Sequence, residues 1–173
     1  MVLPDGAELT VRPAVADDLT AVVELHQACS ARSRQRRYLG GAGVPAPARL
    51  RRLLEPARGL TLVAATTGSG GAAESVVAMA NLLAEGDEAE LALLVRDDWQ
   101  RRGLGSTLLR RLTRQAESAG YAAMVLHVQA DNAPMLRTLR RLSRPTTVQR
   151  DGGLLTMTVP LAAETPATAD TAG

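Results

Sequence analysis

A short polar turn between an apolar run and a leucine-rich segment carries the clearest chemistry in this sequence. The apolar run ends at Val95, and a Gly-x-Gly pair, Gly103 and Gly105, precedes leucines that recur every four residues. A strand that passes through such a turn into a helix presents free backbone N–H groups and the positive end of the helix dipole to an anion. Glycine is required because a Cβ would keep a diphosphate away from the backbone. The spacing therefore predicts a site for a phosphate-bearing ligand.

Two other phosphate-binding motifs fail at specific positions of this turn. A Walker A loop requires a lysine, and all 20 basic residues of the chain are arginine. A dinucleotide fingerprint requires a third glycine three residues after Gly105, where Leu108 stands. A simple turn before a helix would account for one glycine, but not for a pair preceded by Gln100, Arg101 and Arg102.

The segments around the turn predict the elements that position it. Apolar or alternating runs predict six strands, at residues 8–12, 61–65, 76–80, 88–95, 121–128 and 154–159. Helical spacing predicts four helices: one capped by Asp17 and Asp18, one around 50–54, a long one over 104–116 that ends at Gly120, and one over 135–142. This order is typical of an α/β layer with a mixed sheet.

Length and composition fit one domain. With 173 residues, 46% of them hydrophobic, the chain can bury an ordinary core, although it contains no Phe. We assign residues 1–160 to this domain. The Gly-Ser-Gly-Gly run at 68–71 predicts a flexible connection, and the Ala, Thr and Pro that predominate over 161–173 predict a disordered C-terminal tail.

Charge and composition disfavour several classes of partner. The net charge of +2 is too small to indicate nucleic acid, and Tyr38, Trp99 and Tyr121 are too scattered to form stacking platforms. No apolar run approaches the roughly 20 residues that span a bilayer, and the N-terminal residues lack the features of a signal peptide, so we expect no membrane partner and a cytoplasmic location. Cys29 is the only cysteine, and His26 one turn away makes only two ligands, too few for a zinc site.

Two segments identify a resemblance to a known family. Gln-Arg-Arg-Gly-Leu-Gly at residues 100–105 resembles the Gln/Arg-x-x-Gly-x-Gly/Ala signature with which GNAT acetyltransferases bind the pyrophosphate of acetyl-CoA. Ala-Asp-Asn at 130–132, followed by Met-Leu-Arg at 135–137, is similar to the second CoA-proximal element of the family, in which an Asn precedes a helix. The resemblance spans residues 9–159 and implies a GNAT-like fold, a mixed and mostly antiparallel sheet flanked by helices. Within the superfamily, residues 33–38, 98–100 and 132–142 look most like the catalytic domain of bacterial protein-lysine acetyltransferases.

The resemblance implies transfer of an acetyl group from acetyl-CoA, as co-substrate, to an amine by direct attack in a ternary complex without a metal. The preferred acceptor is a protein lysine, with a small-molecule amine as the alternative. A regulatory module that binds CoA without turnover is a third interpretation. The residues implied to contact acetyl-CoA are Leu93, Leu94, Val95, Gln100, Arg101, Arg102, Gly103, Leu104, Gly105, Ser106 and Asn132.

One glutamate is the candidate general base. The attacking amine must be neutral, yet a free lysine amine has a pKa of about 10.4, so a base acting through water is useful. Glu90 stands ten residues before Gln100, the spacing of a catalytic glutamate in many GNAT enzymes. It shares a predicted strand face with Ala92 and Leu94, where a carboxylate is unexpected. Glu88, two residues earlier, is the alternative base. The purely structural interpretation of Glu90 is a solvated carboxylate near the start of a strand.

The sequence departs from the family pattern where a general acid is common. Many members carry a tyrosine that protonates the leaving thiolate, and Leu139 occupies that position here, while Ser143 and Arg144 replace the usual Gly-Phe. A thiolate with a pKa near 8.5 can leave without such an acid. We interpret His127, near the end of its predicted strand, as a structural residue. The arginines at positions 32, 34, 36 and 37 form a basic segment that holds an acidic acceptor or the CoA phosphates, or is simply solvated.

Overall fold

A computed structural model describes residues 1–66 and 74–161 of the chain. Within these residues seven strands form one sheet in the order β1-β2-β3-β4-β5-β7-β6. The strands are β1 Leu9–Pro13, β2 Gly59–Thr66, β3 Val76–Glu85, β4 Glu88–Val95, β5 Ala123–Gln129, β6 Thr147–Asp151 and β7 Leu154–Pro160. Neighbouring strands are antiparallel except β4 and β5, which are parallel. The prediction of a mixed, mostly antiparallel sheet is confirmed.

Five helices cover the two faces of the sheet over the described residues. They are α1 Leu19–Ala28, α2 Ala31–Tyr38, α3 Pro47–Leu54, α4 Leu104–Ser118 and α5 Ala133–Arg140. The leucines of α4 pack on one face, against the side of β4 that carries Leu91, and α1 and α3 pack on the other, against the side that carries Leu94. Each face therefore has its own apolar layer, as an amphipathic helix on a sheet requires. None of these helices combines the length and apolar character that crossing a bilayer demands.

Two elements of the structure were absent from the sequence prediction. Helix α2 has no buried residue, so it shows no apolar period, and its start is fixed instead by Ser30, whose side chain accepts a hydrogen bond from the N–H of Ser33. Strand β6 is exposed at every residue and pairs only with β7 at the edge of the sheet, so neither of its faces shows an apolar alternation.

Local details also differ from the prediction. Asp18 does not cap α1: its carboxylate accepts hydrogen bonds from the N–H of Val15 and from the guanidinium of Arg12, because a short 3₁₀ helix precedes α1. Gly120 does end α4, with φ of 78°. The last helix ends at Arg140, earlier than predicted. The proposed flexible connection at 68–71 lies outside the described residues, as does the proposed tail beyond residue 161.

Candidate active site

A cleft opens where the two parallel strands separate. Strands β4 and β5 pair over three residues only, and Glu90 opposite Val125 is the last pair. Beyond it the strands separate and enclose a cavity of about 350 Å³ between residues 91–95 of β4 and residues 126–128 of β5. Because β4 still pairs with β3 as far as Val95, only its β5-facing edge is released. The backbone groups of that edge face the cavity.

The predicted anion-binding turn forms one end of this cavity. Arg101 and Gly103 have positive φ values of 61° and 88°, and α4 begins at Leu104. Left-handed residues within a turn direct successive N–H groups to one side, and the first N–H groups of a helix have no intrahelical partner. Gly105 and Ser106 line the cavity, and a Cβ built on Gly105 meets no atom within 4 Å. The turn therefore combines unpaired donors with space for an anion.

Helix α2 is fastened to the turn that follows β4. The carboxylate of Asp97 accepts hydrogen bonds from the N–H of Ser30 at 2.7 Å and from the hydroxyl of Ser33 at 2.8 Å. Burial alone would raise the pKa of Asp97, but these bonds outweigh it and leave the pKa below its ordinary value. The amide of Gln100 donates to the carbonyl of Val95 at 3.0 Å and to the hydroxyl of Ser33 at 3.1 Å. These contacts hold α2 over the open end of the cleft.

Two consecutive arginines of α2 reach into the cleft. Arg36 donates to the backbone carbonyl of Asp131 at 3.1 Å, and its guanidinium lies 3.7 Å from the carboxylate of the same residue, so it bridges α2 to the loop before α5. Arg37 donates to Oδ1 of Asn81 at 2.6 Å. Burial lowers the pKa of Arg37, and the nearby carboxylate of Glu90 acts in the opposite direction. The cleft therefore carries positive charge beside its uncharged strand edges.

The structure brings most of the predicted CoA contacts together. The cavity is lined by Leu93, Leu94, Val95, Gln100, Arg101, Gly103, Gly105, Ser106 and Asn132. The side chain of Asn132 also accepts a hydrogen bond from the N–H of Met135 and so caps α5. Arg102 and Leu104 do not line the cavity. Arg102 pairs with Asp5 and lies 4.0 Å from the ring centroid of Trp99, while Leu104 is buried in the core.

Glu90 lies at the closed end of the cleft, where β4 and β5 part. It pairs with Leu83 of β3 on one side and with Val125 on the other, and the lining of the cavity begins at the next residue. Its side chain is partly buried and shares the face of Ala92. Glu88 lies two residues further from the cavity on the same face. Of the two glutamates, Glu90 is therefore the one placed at the fork.

Helix α5 contributes lining residues that the sequence analysis missed. Pro134, Arg137, Thr138 and Arg141 line the cavity, and their spacing of three and four residues marks one face of a helix. That spacing was a usable signal. Leu139, at the position of the family's tyrosine, is only 5% exposed and packs in the core. Neither of the two tyrosines in the sequence lines the cavity.

The remaining candidate residues have structural partners. His26 is fully buried: Nδ1 lies 2.6 Å from the carbonyl of Val22 and Nε2 lies 2.6 Å from the hydroxyl of Tyr38. Because a carbonyl only accepts, Nδ1 carries the proton and the Tyr38 hydroxyl donates to Nε2. Burial raises the pKa of Cys29 to about 11, so this thiol is not a nucleophile at neutral pH. His127 lines the cavity, with Nδ1 3.2 Å from the hydroxyl of Thr156.

No group of three or more His, Cys, Asp or Glu side chains in the described ranges is placed to hold a metal ion. A catalytic zinc site uses three protein ligands. The groups that line or adjoin the cleft include backbone donors, arginines, the hydroxyls of Ser33, Ser106 and Thr138, His127, and Glu90 at the fork.

Comparison with known proteins places this geometry in context. A family model described as the acetyltransferase (GNAT) family matches residues 22–143. The GNAT domain of S. lividans PAT is similar at 23% identity with a TM-score of 0.80, covering 92% of this chain and 94% of that one. The ribosomal-protein-S18-alanine N-acetyltransferase from Escherichia coli is 25% identical with a TM-score of 0.68, covering 91% and 98%. The yncA protein of Salmonella typhimurium, solved with its cofactor acetyl-CoA, is 21% identical with a TM-score of 0.70, covering 93% and 98%.

Proposed function

Because the chain belongs to the GNAT family and is an acyl-CoA-dependent N-acyltransferase, we propose that it acetylates the side-chain amine of a protein lysine by direct attack on acetyl-CoA. One observation carries the site assignment. The fork between β4 and β5 joins an anion-binding turn, a released strand edge and Glu90 along a single cleft. The reaction needs these three features in that order, from the diphosphate to the thioester to the base.

The turn at residues 101–106 would hold the diphosphate of acetyl-CoA through its backbone. The space beside Gly105 and the unpaired N–H groups at the start of α4 fit a phosphate group, and the helix dipole favours its charge. Side chains are secondary in this arrangement, which is why the orientation of Arg102 away from the cleft does not weaken it.

The released edge of β4 would hold the pantetheine arm and the thioester. The backbone N–H groups of Leu93 and Val95, which point away from β3, can donate to the amides of the arm and to the oxyanion that forms on attack. The amine nitrogen forms a bond to the carbonyl carbon, and the tetrahedral intermediate then expels the thiolate of CoA. With Leu139 buried in the core, the thiolate leaves without a tyrosine acid, which its low basicity allows.

Glu90 would accept the proton that the attacking amine must lose. Glu90 lies at the fork, on the face of the sheet against which α2 packs, and we propose that the acceptor approaches the thioester from that side. A base there acts through a bound water, because the lining of the cavity begins only at the next residue.

Two likenesses favour a protein acceptor. Residues 33–38, 98–100 and 132–142 look like the corresponding parts of bacterial protein-lysine acetyltransferases. One structural neighbour, the Escherichia coli enzyme, bears a name that gives its acceptor as an alanine of a ribosomal protein. The sequence likeness makes lysine the preferred amine.

The acceptor can be identified with labelled acetyl-CoA. Wild-type enzyme is incubated with lysate protein in one reaction and with the small-molecule fraction in another, and Gly105→Val serves as the control impaired in cofactor binding. Because the enzyme has no lysine, any label on the enzyme itself falls on its N-terminus. Label on lysines of specific proteins supports the proposal. Label confined to small amines refutes the lysine acceptor, and label in neither, with acetyl-CoA still bound, refutes catalysis.

A further inference from the structure

Arg37 carries a positive charge that forms no ion pair within the described residues, although the carboxylate of Glu90 is near enough to act on it electrostatically. Its guanidinium donates one hydrogen bond, to the neutral side chain of Asn81, and its Nε is buried without an acceptor. No carboxylate in residues 1–66 and 74–161 forms an ion pair with it. The ring of Tyr38, with its centroid 4.7 Å away, attracts the cation but supplies no acceptor in the ring plane. A half-buried guanidinium with five N–H donors needs more than this.

The guanidinium of Arg37 is held in place by Asn81, whose amide is itself fixed by hydrogen bonds. Asn81 is fully buried, and its Nδ2 donates to the hydroxyl of Thr61 at 2.7 Å and to the carbonyl of Leu53 at 3.3 Å. These two acceptors fix the orientation of the amide, so Oδ1 faces Arg37. The hydroxyl of Thr61 in turn donates to Leu53. This network restricts the side chain of Arg37 before any ligand binds, so less conformational entropy is lost on binding.

The position of Arg37 relates it to the acceptor and not to the diphosphate. Asn81 pairs with Ala92, which lies midway between Glu90 and Leu94 on the same face of β4. Two strand residues correspond to about 7 Å, so Asn81, which Arg37 contacts at 2.6 Å, lies about that far along the sheet from the levels of the proposed base and of Leu94 in the proposed thioester segment. The anion-binding turn starts only after the end of β4, further along the chain. Arg37 also lines the cleft itself.

The other arginines of α2 differ from Arg37, although Arg36 also lines the cleft and its Nε is likewise buried without an acceptor. Arg34 donates only to backbone carbonyls and does not line the cleft. Arg36 has Asp131 as a partner, and Arg32 is 71% exposed with its guanidinium 3.6 Å from the same carboxylate. The exposed Arg32 does not line the cleft. Arg37 is thus the arginine of this helix that combines access to the cleft with an unmet need for an anion.

We infer that the acceptor carries a carboxylate close to its reactive amine and that Arg37 binds this carboxylate. The inference rests on the proposed acetyl transfer in this cleft. Two sources supply the chemistry: an Asp or Glu side chain next to the acceptor lysine of a protein, or the carboxylate of a small amino acid. In both, the guanidinium fork receives the carboxylate while the amine a few ångströms away faces the thioester.

The test compares acceptors that differ only in the carboxylate. One pair is an N-terminally blocked peptide with a single lysine flanked by Asp, and the same peptide with Asn. The other pair is a small amino acid and its carboxamide, with rates expressed per neutral amine from each measured pKa. kcat/KM is measured for wild type, Arg37→Gln and Arg32→Gln at saturating acetyl-CoA.

Wild type is expected to prefer the carboxylate member of one pair by at least about tenfold, and the pair that shows the preference identifies the source. Arg37→Gln should bring that ratio close to one, mainly through KM, while Arg32→Gln leaves it unchanged. Acetyl-CoA affinity, measured by calorimetry, should be the same in all three proteins. If Arg37 only adjusted the base, its loss would slow both members of a pair alike.

A ratio near one for both pairs in wild type overturns the inference without any variant. An unchanged ratio in folded Arg37→Gln overturns it as well. If no acceptor is acetylated although acetyl-CoA binds, the proposed function fails, and calorimetry of the same pairs on the acetyl-CoA complex then decides the inference. Equal binding of Asp and Asn peptides, and of acid and carboxamide, would refute it.

Discussion

Replacing Gly105 with valine is expected to weaken acetyl-CoA binding by more than about tenfold without unfolding the protein. Gly105 is the second residue of α4, its φ lies outside the left-handed region, and a Cβ there meets no atom within 4 Å. The fold therefore accepts a side chain. Helix propensity favours it too, because glycine is about 1 kcal/mol less favourable than alanine in a helix and valine lies between them. We expect the free energy of unfolding to change by less than about 1 kcal/mol.

The same open space is the reason for the loss of binding. A phosphate oxygen must approach a backbone nitrogen to about 2.9 Å, and the branched side chain of valine would occupy that path. A hydrogen bond to a charged group is worth about 1.5–3 kcal/mol, so losing one weakens binding by about 10- to 150-fold. Gly105→Ala adds only one methyl group and should have a smaller effect on affinity, with a gain in stability.

Calorimetric titration with acetyl-CoA and urea denaturation measure the two quantities separately. Gly43→Val is the matched control, because Gly43 also has open space and no positive φ but lies outside the cleft. Gly103→Val is the contrasting variant: its φ of 88° is strained for valine, so it should lose about 1–3 kcal/mol of stability as well as affinity. Unchanged affinity in folded Gly105→Val would show that the diphosphate does not bind at this turn.

Three further predictions concern the base and two buried titrating groups. Glu90→Gln should keep its acetyl-CoA affinity and lose about 10²–10⁴ in kcat at neutral pH, with the deficit shrinking as pH rises towards the amine pKa; full turnover would move the role to Glu88 or water. Burial lowers the pKa of His26, so as pH drops the unfolded chain becomes protonated at this histidine before the folded protein does. The free energy of unfolding should therefore fall as pH drops below about 6.5. Urea titrations at pH 7.5 and 5.5 should show this fall, and His26→Gln should reduce it. The Arg12 guanidinium holds the pKa of Asp18 below its ordinary value, so the ionised Asp18 stabilises the fold above about pH 4 and this stabilisation is lost as pH falls through the lowered pKa. Arg12→Gln should lower the free energy of unfolding by about 1–3 kcal/mol at pH 7. A variant as stable as wild type at pH 7 would contradict this role.

The elements that could be predicted from sequence are those whose own residues form the apolar layers. The leucines of α4 recur every four residues and are buried, so their period appears in the sequence as it does in the structure. Helix α2 is different, because it buries no side chain and its N-terminus is fastened by Asp97, more than sixty residues later in the chain. A single sequence contains no local trace of that contact. Strand β6 is hidden for a related reason, since every one of its residues is exposed.

The same distinction separates the parts of the site. The anion-binding turn is contiguous, so the spacing of its glycines can be recognised in the sequence alone. The pairing of Arg37 with Asn81 joins α2 to β3 across 44 residues and depends on the strand register, which no spacing rule supplies. Residues of α5 could have been predicted as lining, because they occupy one helical face behind Asn132. Contacts between segments that are distant in sequence, such as that of Arg37 with Asn81, could not be predicted.

The fork between β4 and β5 indicates which kind of ligand the cleft suits. Parallel neighbours normally satisfy each other's backbone groups, yet these strands stop pairing at Glu90 and leave an edge of β4 unpaired beside a partly apolar cavity. Unpaired backbone groups away from bulk water are costly, so the open edge favours a bound molecule with amides of its own. We propose that an extended amide-bearing arm satisfies that edge while its phosphate end is held at the turn beyond Val95. On this proposal the turn fixes the register of the arm, and the register determines which bond of the arm lies opposite Glu90 and Arg37.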